Sequence, residues 1–132
     1  MDWRLELIQV PVSDVDRAKA FYTEKVGFHA DHDERVGDAI RFVQLTPSGS
    51  ACSIALGTGL SDMPPGSVRG LQLVVPDIHA ALGDLRARGV RIEEYTEPDP
   101  VTTDGIADMG HSWAAWFIDP SGNVVSVIEP KA

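Results

Sequence analysis

The chain has 132 residues, of which 43% are hydrophobic and 23% charged, a composition that predicts one compact globular domain and excludes a disordered chain. Its net charge of −9 disfavours binding to nucleic-acid phosphates and to anionic lipid surfaces. The single cysteine, Cys52, allows no internal disulfide, and we find neither a secretion signal nor an apolar run of the ~20 residues that would cross a bilayer. We therefore expect a soluble, cytoplasmic protein that binds neither nucleic acid nor a membrane.

The chain opens with a predicted strand and helix. Residues 5 to 12 alternate apolar and polar side chains, which predicts a half-buried β-strand. Ser13 or Asp14 supplies a side-chain oxygen that caps the helix after it, and Gly27 suits the left-handed residue that ends this helix. One helical face has the spacing of a buried stripe and consists of Val15, Ala18, Tyr22 and Val26. We expect this helix to pack on a sheet.

A strand, a turn and a second strand follow in the stretch AIRFVQLTPSGSACSIAL. Pro47 fixes φ and Gly49 accepts a positive φ, so the stretch predicts a β-hairpin. Residues 58–68 are rich in glycine and proline, which is typical of a linker. The first module is therefore predicted at about residues 4–57, before this linker.

The second half repeats the first, with LQLVVPDIHAALGDLRARGV as strand and helix and SWAAWFIDPSGNVVSVIE as the hairpin. Asp77 takes the capping position and Gly89 the helix end. The apolar stripe of this helix consists of Ile78, Ala81, Leu82 and Leu85. The second module is predicted at about residues 69–130, and the whole chain as an α+β domain of two βαβββ modules.

This tandem βαβββ order, with VSDVDRAKAFYTEKVGF in the first copy and DPSGN in the last hairpin, resembles the vicinal oxygen chelate superfamily. That superfamily contains glyoxalases, extradiol dioxygenases and bleomycin-resistance proteins. The resemblance implies that each sheet curls as a half-barrel around a cleft, and that the chain forms a homodimer. A shared fold does not specify the chemistry.

The resemblance also implies where a catalytic metal would be held. Catalytic members use His or Glu from one position in each of four strands, and these positions fall here on Leu7, Ser53, Gly70 and Ser126. These residues are poor ligands for a divalent ion, because Leu7 has an aliphatic side chain, Gly70 has no side chain, and the two serines offer only neutral hydroxyls. A shift of two residues along the strands reaches Gln9 and Gln72, whose amides are also weak ligands. We predict neither a metal nor another cofactor, and we assign no catalytic residue.

The same strands supply candidate ligand-binding side chains. Strand alternation places Leu7 and Gln9 on one face of the first module, and Gln72 on the equivalent face of the second. The amides and the hydroxyls of Ser53 and Ser126 could hold a polar ligand, or could satisfy one another or ordered water. The aromatic candidates are Trp113 and Trp116, which have opposite strand parity, so at most one faces the cleft, and core packing is the alternative for each.

The remaining polar features are interpreted as surface groups. His29 and His32 would point to opposite sides of an extended strand, which disfavours a metal site. Arg41 could pair with a carboxylate or lie at the surface, and we favour the surface. His111 is the histidine to test as a proton carrier. Residues 95–110 show neither helix nor strand periodicity, so they form either a lid over the cleft or a solvated acidic loop.

The function that these features favour is metal-independent binding of a small molecule, cationic or aromatic, with sequestration rather than conversion of the ligand. A metal-dependent glyoxalase or dioxygenase is one alternative, and a metal-free isomerase or cyclase is another. A role in protein interaction is a further alternative.

Overall fold

The computed structural model describes all residues, Met1–Ala132. They form two compact units, Met1–Val68 with Pro120–Asn123, and Arg69–Asp119 with Val124–Ala132. Each unit holds one open four-stranded sheet with a helix, which confirms the predicted α+β class with tandem modules. No helix has the length and apolar character that crossing a membrane requires.

The first unit contains β1 (Leu7–Gln9), α1 (Val15–Ala20), β2 (His29–Val36), β3 (Ile40–Thr46) and β4 (Ser53–Thr58). The helix α1 continues as a π-helical segment, Phe21–Val26. The strands are arranged in the order β1-β4-β3-β2, with β1 parallel to β4 and the other neighbours antiparallel.

The first helix begins and ends at the predicted residues. The Asp14 carboxylate accepts a hydrogen bond from the Arg17 backbone N–H at 3.1 Å, and Gly27 ends the helical segment with φ +90°. In its apolar stripe Val15, Ala18 and Tyr22 are buried and Val26 is half-buried, and α1 contacts β4. The core of this unit includes Ala18, Tyr22, Val43, Leu45 and Leu56, each fully buried.

The second unit repeats the arrangement with β5 (Leu71–Val74), α2 (Ile78–Ala87), β6 (Ala107–Asp108), β7 (Ser112–Ile118) and β8 (Val124–Pro130). The sheet order is β5-β8-β7-β6. Asp77 caps α2 by accepting from the Ala80 N–H at 3.1 Å. The helix contacts β7 and β8, and the core includes Ile78, Leu82, Phe117, Val125 and Val127.

Two sequence-based boundaries differ from the structure. The strand expected over residues 5 to 12 is ordered as β1 only at Leu7–Gln9, because β4 begins at Ser53 and Pro11 has no N–H to donate. The stretch 95–110 was expected to lack strands, yet it contains β6 and a tight turn in which the backbones of Thr103 and Ile106 exchange hydrogen bonds. Asp104 and Gly105 form this turn, both with positive φ.

The turn of the last hairpin belongs to the first unit. Asn123 is fully buried there; its Oδ1 accepts from the Val68 N–H at 3.0 Å and its Nδ2 donates to the Pro11 carbonyl at 2.8 Å. Gly66 approaches this turn so closely that a Cβ atom would lie 2.1 Å from the Ser121 carbonyl oxygen. A buried amide and a glycine therefore fix the turn in place.

Candidate functional site

Each sheet has one face covered by its helix and one face that carries the candidate binding side chains. Residues paired directly across neighbouring strands project to the same face. Leu7 pairs with Ser53, and Gln9 with Ala55, which in turn pairs with Gln44. These side chains therefore share the face of the first sheet that α1 does not cover.

Ser53 is held by a polar network on this face. Its hydroxyl accepts from Gln44 Nε2 at 3.3 Å and lies 2.6 Å from Thr46 Oγ1, which donates to the Asp31 carboxylate. Since Thr46 donates its proton to Asp31, Ser53 donates to Thr46. Ser53 is 5% exposed, so its hydrogen-bonding capacity is used by neighbouring protein groups. Gln44 and Thr46 were not singled out from the sequence, because their role depends on which residues of β4 they face.

Gln9 is placed differently from Ser53. It lines a cavity of about 350 Å³ together with Ala55 and residues 57–65, which include the last two residues of β4 and the segment after it. Leu60, Met63 and Pro64 are among its apolar lining residues, and Ser61 and Asp62 are among its polar ones. A cavity that combines apolar side chains with an amide and other polar groups can both bury and orient a small ligand.

In the second unit, Gln72, Ser126 and Trp116 form a row across β5, β8 and β7, because Ser126 pairs with both of the others. Gln72 is exposed and Trp116 half-buried. Ser126 is buried and donates to the Leu71 carbonyl at 3.4 Å. The row therefore places an amide and an indole on opposite sides of Ser126, on the face that α2 does not cover.

The two modules differ in register by two residues. When the two halves of the sequence are aligned, Leu7 corresponds to Gly70 and Ser53 corresponds to Ser126. In the first unit, Leu7 pairs with Ser53. In the second unit, however, the partner of Ser126 is Gln72 rather than Gly70. A shift of two keeps the same side chains on the same face, so the second module presents an amide where the first presents an aliphatic side chain.

Tyr95 extends the row at Trp116. The two rings meet edge to face, with centroids 5.5 Å apart and planes at 82°. The Glu93 N–H donates to the Trp116 carbonyl at 2.9 Å, which brings the chain before Tyr95 alongside β7. Burial raises the pKa of the Tyr95 hydroxyl, and the nearby Glu93 and Asp99 carboxylates raise this pKa further. Sequence analysis missed Tyr95 because no local pattern shows that its segment lies beside β7.

Trp113 lies on the opposite face of β7. It pairs with Asp108 and Glu129, and the Lys131 ammonium lies 4.1 Å from the centroid of its ring. Trp113 lines a separate cavity of about 660 Å³ on the helix side, together with Leu82 and Arg86. The two tryptophans thus have different surroundings, as their opposite parity in the sequence predicts.

Of the two alternatives for Arg41, the favoured surface position is wrong, and pairing with a carboxylate is confirmed. Arg41 is 8% exposed and its guanidinium binds Asp33 and Asp16, with Nη1 2.7 Å from Asp16 Oδ1. Hydrogen bonds from Arg41 and then Lys19 hold the pKa of the Asp33 carboxyl well below its usual range. The paired carboxylates compensate the charge that burial would otherwise penalise.

The histidines of β2 also differ from expectation. A β-bulge between Ala30 and His32 lets His29 pair with Thr46 and His32 with Gln44, so both lie on one face of the sheet. Both are exposed, as is His111. No group of three or more His, Cys, Asp or Glu side chains is arranged to hold a metal ion.

The donor chemistry of the inferred ligand positions does not fit a divalent metal. Leu7 offers no donor, and the partner of Ser126 offers only a neutral amide. The hydroxyls of Ser53 and Ser126 are bonded to protein groups. Zinc and similar ions prefer imidazole, carboxylate or thiolate ligands, none of which stands at these four positions.

Comparisons with known proteins agree on one family. The family model described as "Glyoxalase/Bleomycin resistance protein/Dioxygenase superfamily" matches residues 4–127. No match was found among the curated proteins.

Similar solved structures cover nearly the whole chain. TnmS3, an antibiotic binding protein from Streptomyces sp. CB03234, is 34% identical over 98% of both chains, with a TM-score of 0.76. A glyoxalase/bleomycin resistance protein from the same organism is 36% identical over 94% of this chain and 98% of its own, with a TM-score of 0.73. A superfamily member from Sphaerobacter thermophilus DSM 20745 is 30% identical over 97% and 98%, with a TM-score of 0.78.

Proposed function

Because this chain belongs to the glyoxalase/bleomycin resistance protein/dioxygenase superfamily, we propose that it binds and sequesters a small molecule without converting it. The observation that carries the proposal is the row of Gln72, Ser126 and Trp116, extended by Tyr95. This row combines an exposed amide with a half-buried aromatic wall, which suits a ligand that is apolar over most of its surface and polar at one edge. The similarity to TnmS3, an antibiotic binding protein, supports binding of this kind.

In this proposal the ligand is aromatic or cationic. Trp116 and Tyr95 offer ring surfaces on which a planar ligand stacks, and an indole face also attracts a cation. The net charge of −9 favours the approach of a cation over that of an anion. Gln72 both donates and accepts hydrogen bonds, so it can orient either kind of ligand.

We propose that binding needs no metal. The support is chemical: Leu7, Ser53, Gly70 and Ser126, the positions that correspond to the superfamily's metal ligands, provide no imidazole or carboxylate, and Gln72, which pairs with Ser126, adds only an amide. On the first sheet, Leu7, Gln9 and Ser53 offer apolar surface and one amide to a ligand bound on that sheet. We further propose that the protein acts as a homodimer in the cytoplasm.

A ligand panel with matched tryptophan variants tests this proposal. The panel contains bleomycin, planar cationic dyes and neutral aromatic natural products, and it is screened by thermal shift and then by calorimetry. We expect at least one compound to bind the wild type with one-to-one stoichiometry. Trp116→Ala should weaken that binding, whereas Trp113→Ala, on the opposite face of β7, should not.

Two outcomes would contradict the proposal. A panel in which no compound binds argues against sequestration. Stoichiometric Ni, Zn, Mn or Fe in protein purified without a tag, with metal-dependent turnover of a glyoxalase or dioxygenase substrate, would favour the enzymatic alternative.

A further inference from the structure

A cavity lies on the helix side of the second unit, on the other face of β7 from the ligand site proposed above. Its volume of about 660 Å³ falls in the range of small-molecule sites. One wall is α2, which contributes His79, Leu82 and Arg86, and the facing wall comes from residues 101–108. Trp113 completes the lining of this helix-side cavity.

The cavity has two chemically different ends. His79 and Arg86 lie on one face of α2, seven residues apart, which is roughly 10 Å along the helix axis. Glu129 pairs with Trp113 and its carboxylate accepts from the Ile78 N–H at 2.9 Å, so Trp113 lies near the beginning of α2. Arg86 lies in the last turn of the same helix. An aromatic end and a charged end are therefore separated by the length of the helix wall.

The charged end carries two opposite charges that do not pair with each other. Arg86 Nη2 donates to the backbone carbonyl of Asp104 at 3.0 Å, and its guanidinium takes part in no ion pair. The Asp104 carboxylate also takes part in none. The turn that carries Asp104 is held in place, because the Gly105 N–H donates to the Glu94 carboxylate at 2.6 Å. This end thus presents a free cation and a free anion on neighbouring residues.

The aromatic end is fixed by a cation on the Trp113 ring. The Lys131 ammonium lies 4.1 Å from the ring centroid and 2.6 Å from Asp108 Oδ1. This ion pair matches the charge of Asp108, which also lines the cavity. The buried Leu82 and the half-buried Ile106 add apolar surface to the lining.

The first unit fills the corresponding place with ion pairs. On the helix side of β3, Arg41 lies two residues before the buried Val43, and on β7 Trp113 lies two residues before the buried Ala115. Two carboxylates bind the Arg41 guanidinium there. The duplicated fold therefore closes this space with charged side chains in one unit, whereas the other unit has an open cavity with an aromatic lining.

We propose that the helix-side cavity binds a zwitterionic α-amino acid with an aromatic side chain. The carboxylate of the ligand binds the Arg86 guanidinium, and its ammonium binds the Asp104 carboxylate. The ring of the ligand packs against Trp113. A zwitterion has no net charge, so the charge of −9 on the chain does not oppose its entry. This site goes beyond the proposed function and does not depend on it.

Three related compounds test the charge requirement. L-phenylalanine has both charges, phenethylamine lacks the carboxylate and 3-phenylpropionate lacks the ammonium. NMR titration of the isotope-labelled full chain measures dissociation constants into the millimolar range. We expect one L-phenylalanine per chain, and binding of each analogue weaker by about tenfold or more, since each leaves one charge of the cavity unmatched.

Variants assign each charge to its partner. Arg86→Gln should weaken L-phenylalanine binding by about tenfold or more, yet leave phenethylamine within about twofold, because phenethylamine has no carboxylate to lose. Asp104→Asn should have the same effect on L-phenylalanine and leave 3-phenylpropionate within about twofold. Arg88→Gln and Asp84→Asn remove the same charges from exposed positions outside the cavity and should change neither ligand's binding.

The two tryptophans locate the bound ring. Trp113→Ala should weaken L-phenylalanine binding by about tenfold, whereas Trp116→Ala, on the opposite face of β7, should leave it within about twofold. Binding that Trp116→Ala abolishes and Trp113→Ala retains would overturn this site while leaving the proposed function standing.

Three further results would overturn the proposal. They are the absence of saturable binding of L-phenylalanine, equal binding of the two analogues and the zwitterion, and an Arg86→Gln variant that binds like the wild type. Arg86 is exposed, so this variant should keep the wild-type circular dichroism spectrum even if Trp113→Ala fails to fold.

Discussion

Arg41 and Asp33 form a two-point ion pair between neighbouring strands, in which Nε donates to Oδ1 at 3.0 Å and Nη2 donates to Oδ2 at 2.9 Å. Lys19 of α1 donates to the same carboxylate at 2.8 Å. The pair thereby ties the edge strand β2 to β3 and to the helix. Bidentate geometry with a buried guanidinium makes this pair stronger than an ordinary surface contact.

The first prediction concerns stability and pH. Because the pKa of Asp33 is lower in the folded chain than its ordinary value of 3.8, the pair stabilises the fold fully above that value and progressively less as the pH falls below it. Asp33→Asn should cost about 2 kcal/mol at pH 7 and less at pH 2. Urea unfolding at several pH values measures both effects. Asp38→Asn, the same change at an exposed turn residue, should cost little at either pH, and equal losses for both variants would rule out the assigned role.

The second prediction concerns the two faces of β7. For the compound that binds best in the panel, Trp116→Ala should raise the dissociation constant by about tenfold or more, because it removes the aromatic wall beside Ser126. Tyr95→Phe should have a smaller effect, since the ring that meets Trp116 is kept. Calorimetry measures the constants. A larger loss from Trp113→Ala than from Trp116→Ala would move the binding site to the cavity on the helix side.

The third prediction concerns the turn of the last hairpin, which belongs to the first unit. Asn123→Ala removes a donor and an acceptor that bind Pro11 and Val68, and should lower the free energy of unfolding by about 2 kcal/mol. Asn123→Asp keeps the shape but sets a carboxylate oxygen against the Pro11 carbonyl, so it should cost more at pH 7. Chemical denaturation checks the order of the two, and an aspartate variant as stable as the wild type would show that the amide donor is not required.

The fourth prediction compares two glycines. Gly66 has φ +79° and no space for a Cβ beside Ser121, so Gly66→Ala should destabilise the fold by about 1–3 kcal/mol from backbone strain alone. Gly83 lies inside α2 with nothing within 4 Å of an added Cβ, so Gly83→Ala should stabilise it by about 0.5–1 kcal/mol. Thermal unfolding of the two variants should move in opposite directions, and a shift in the same direction would contradict the local geometry.

The amino-acid sequence by itself determined the duplicated modules, the cap at Asp77, a first cap at Ser13 or Asp14, and the opposite parity of Trp113 and Trp116. These features depend on local chemistry: a cap needs one side-chain oxygen near free N–H groups, and strand parity follows from the pleat. The repeat and its motifs were also enough to identify the superfamily to which the chain belongs.

Only the tertiary structure decided which residues face one another across strands. The bulge in β2 places His29 and His32 on one face of the sheet. The two-residue difference in register places Gln72 rather than Gly70 beside Ser126. The buried Arg41 pairs with two carboxylates from separate elements. Register and ion pairing join residues far apart in the chain, so no pattern within one segment can specify them.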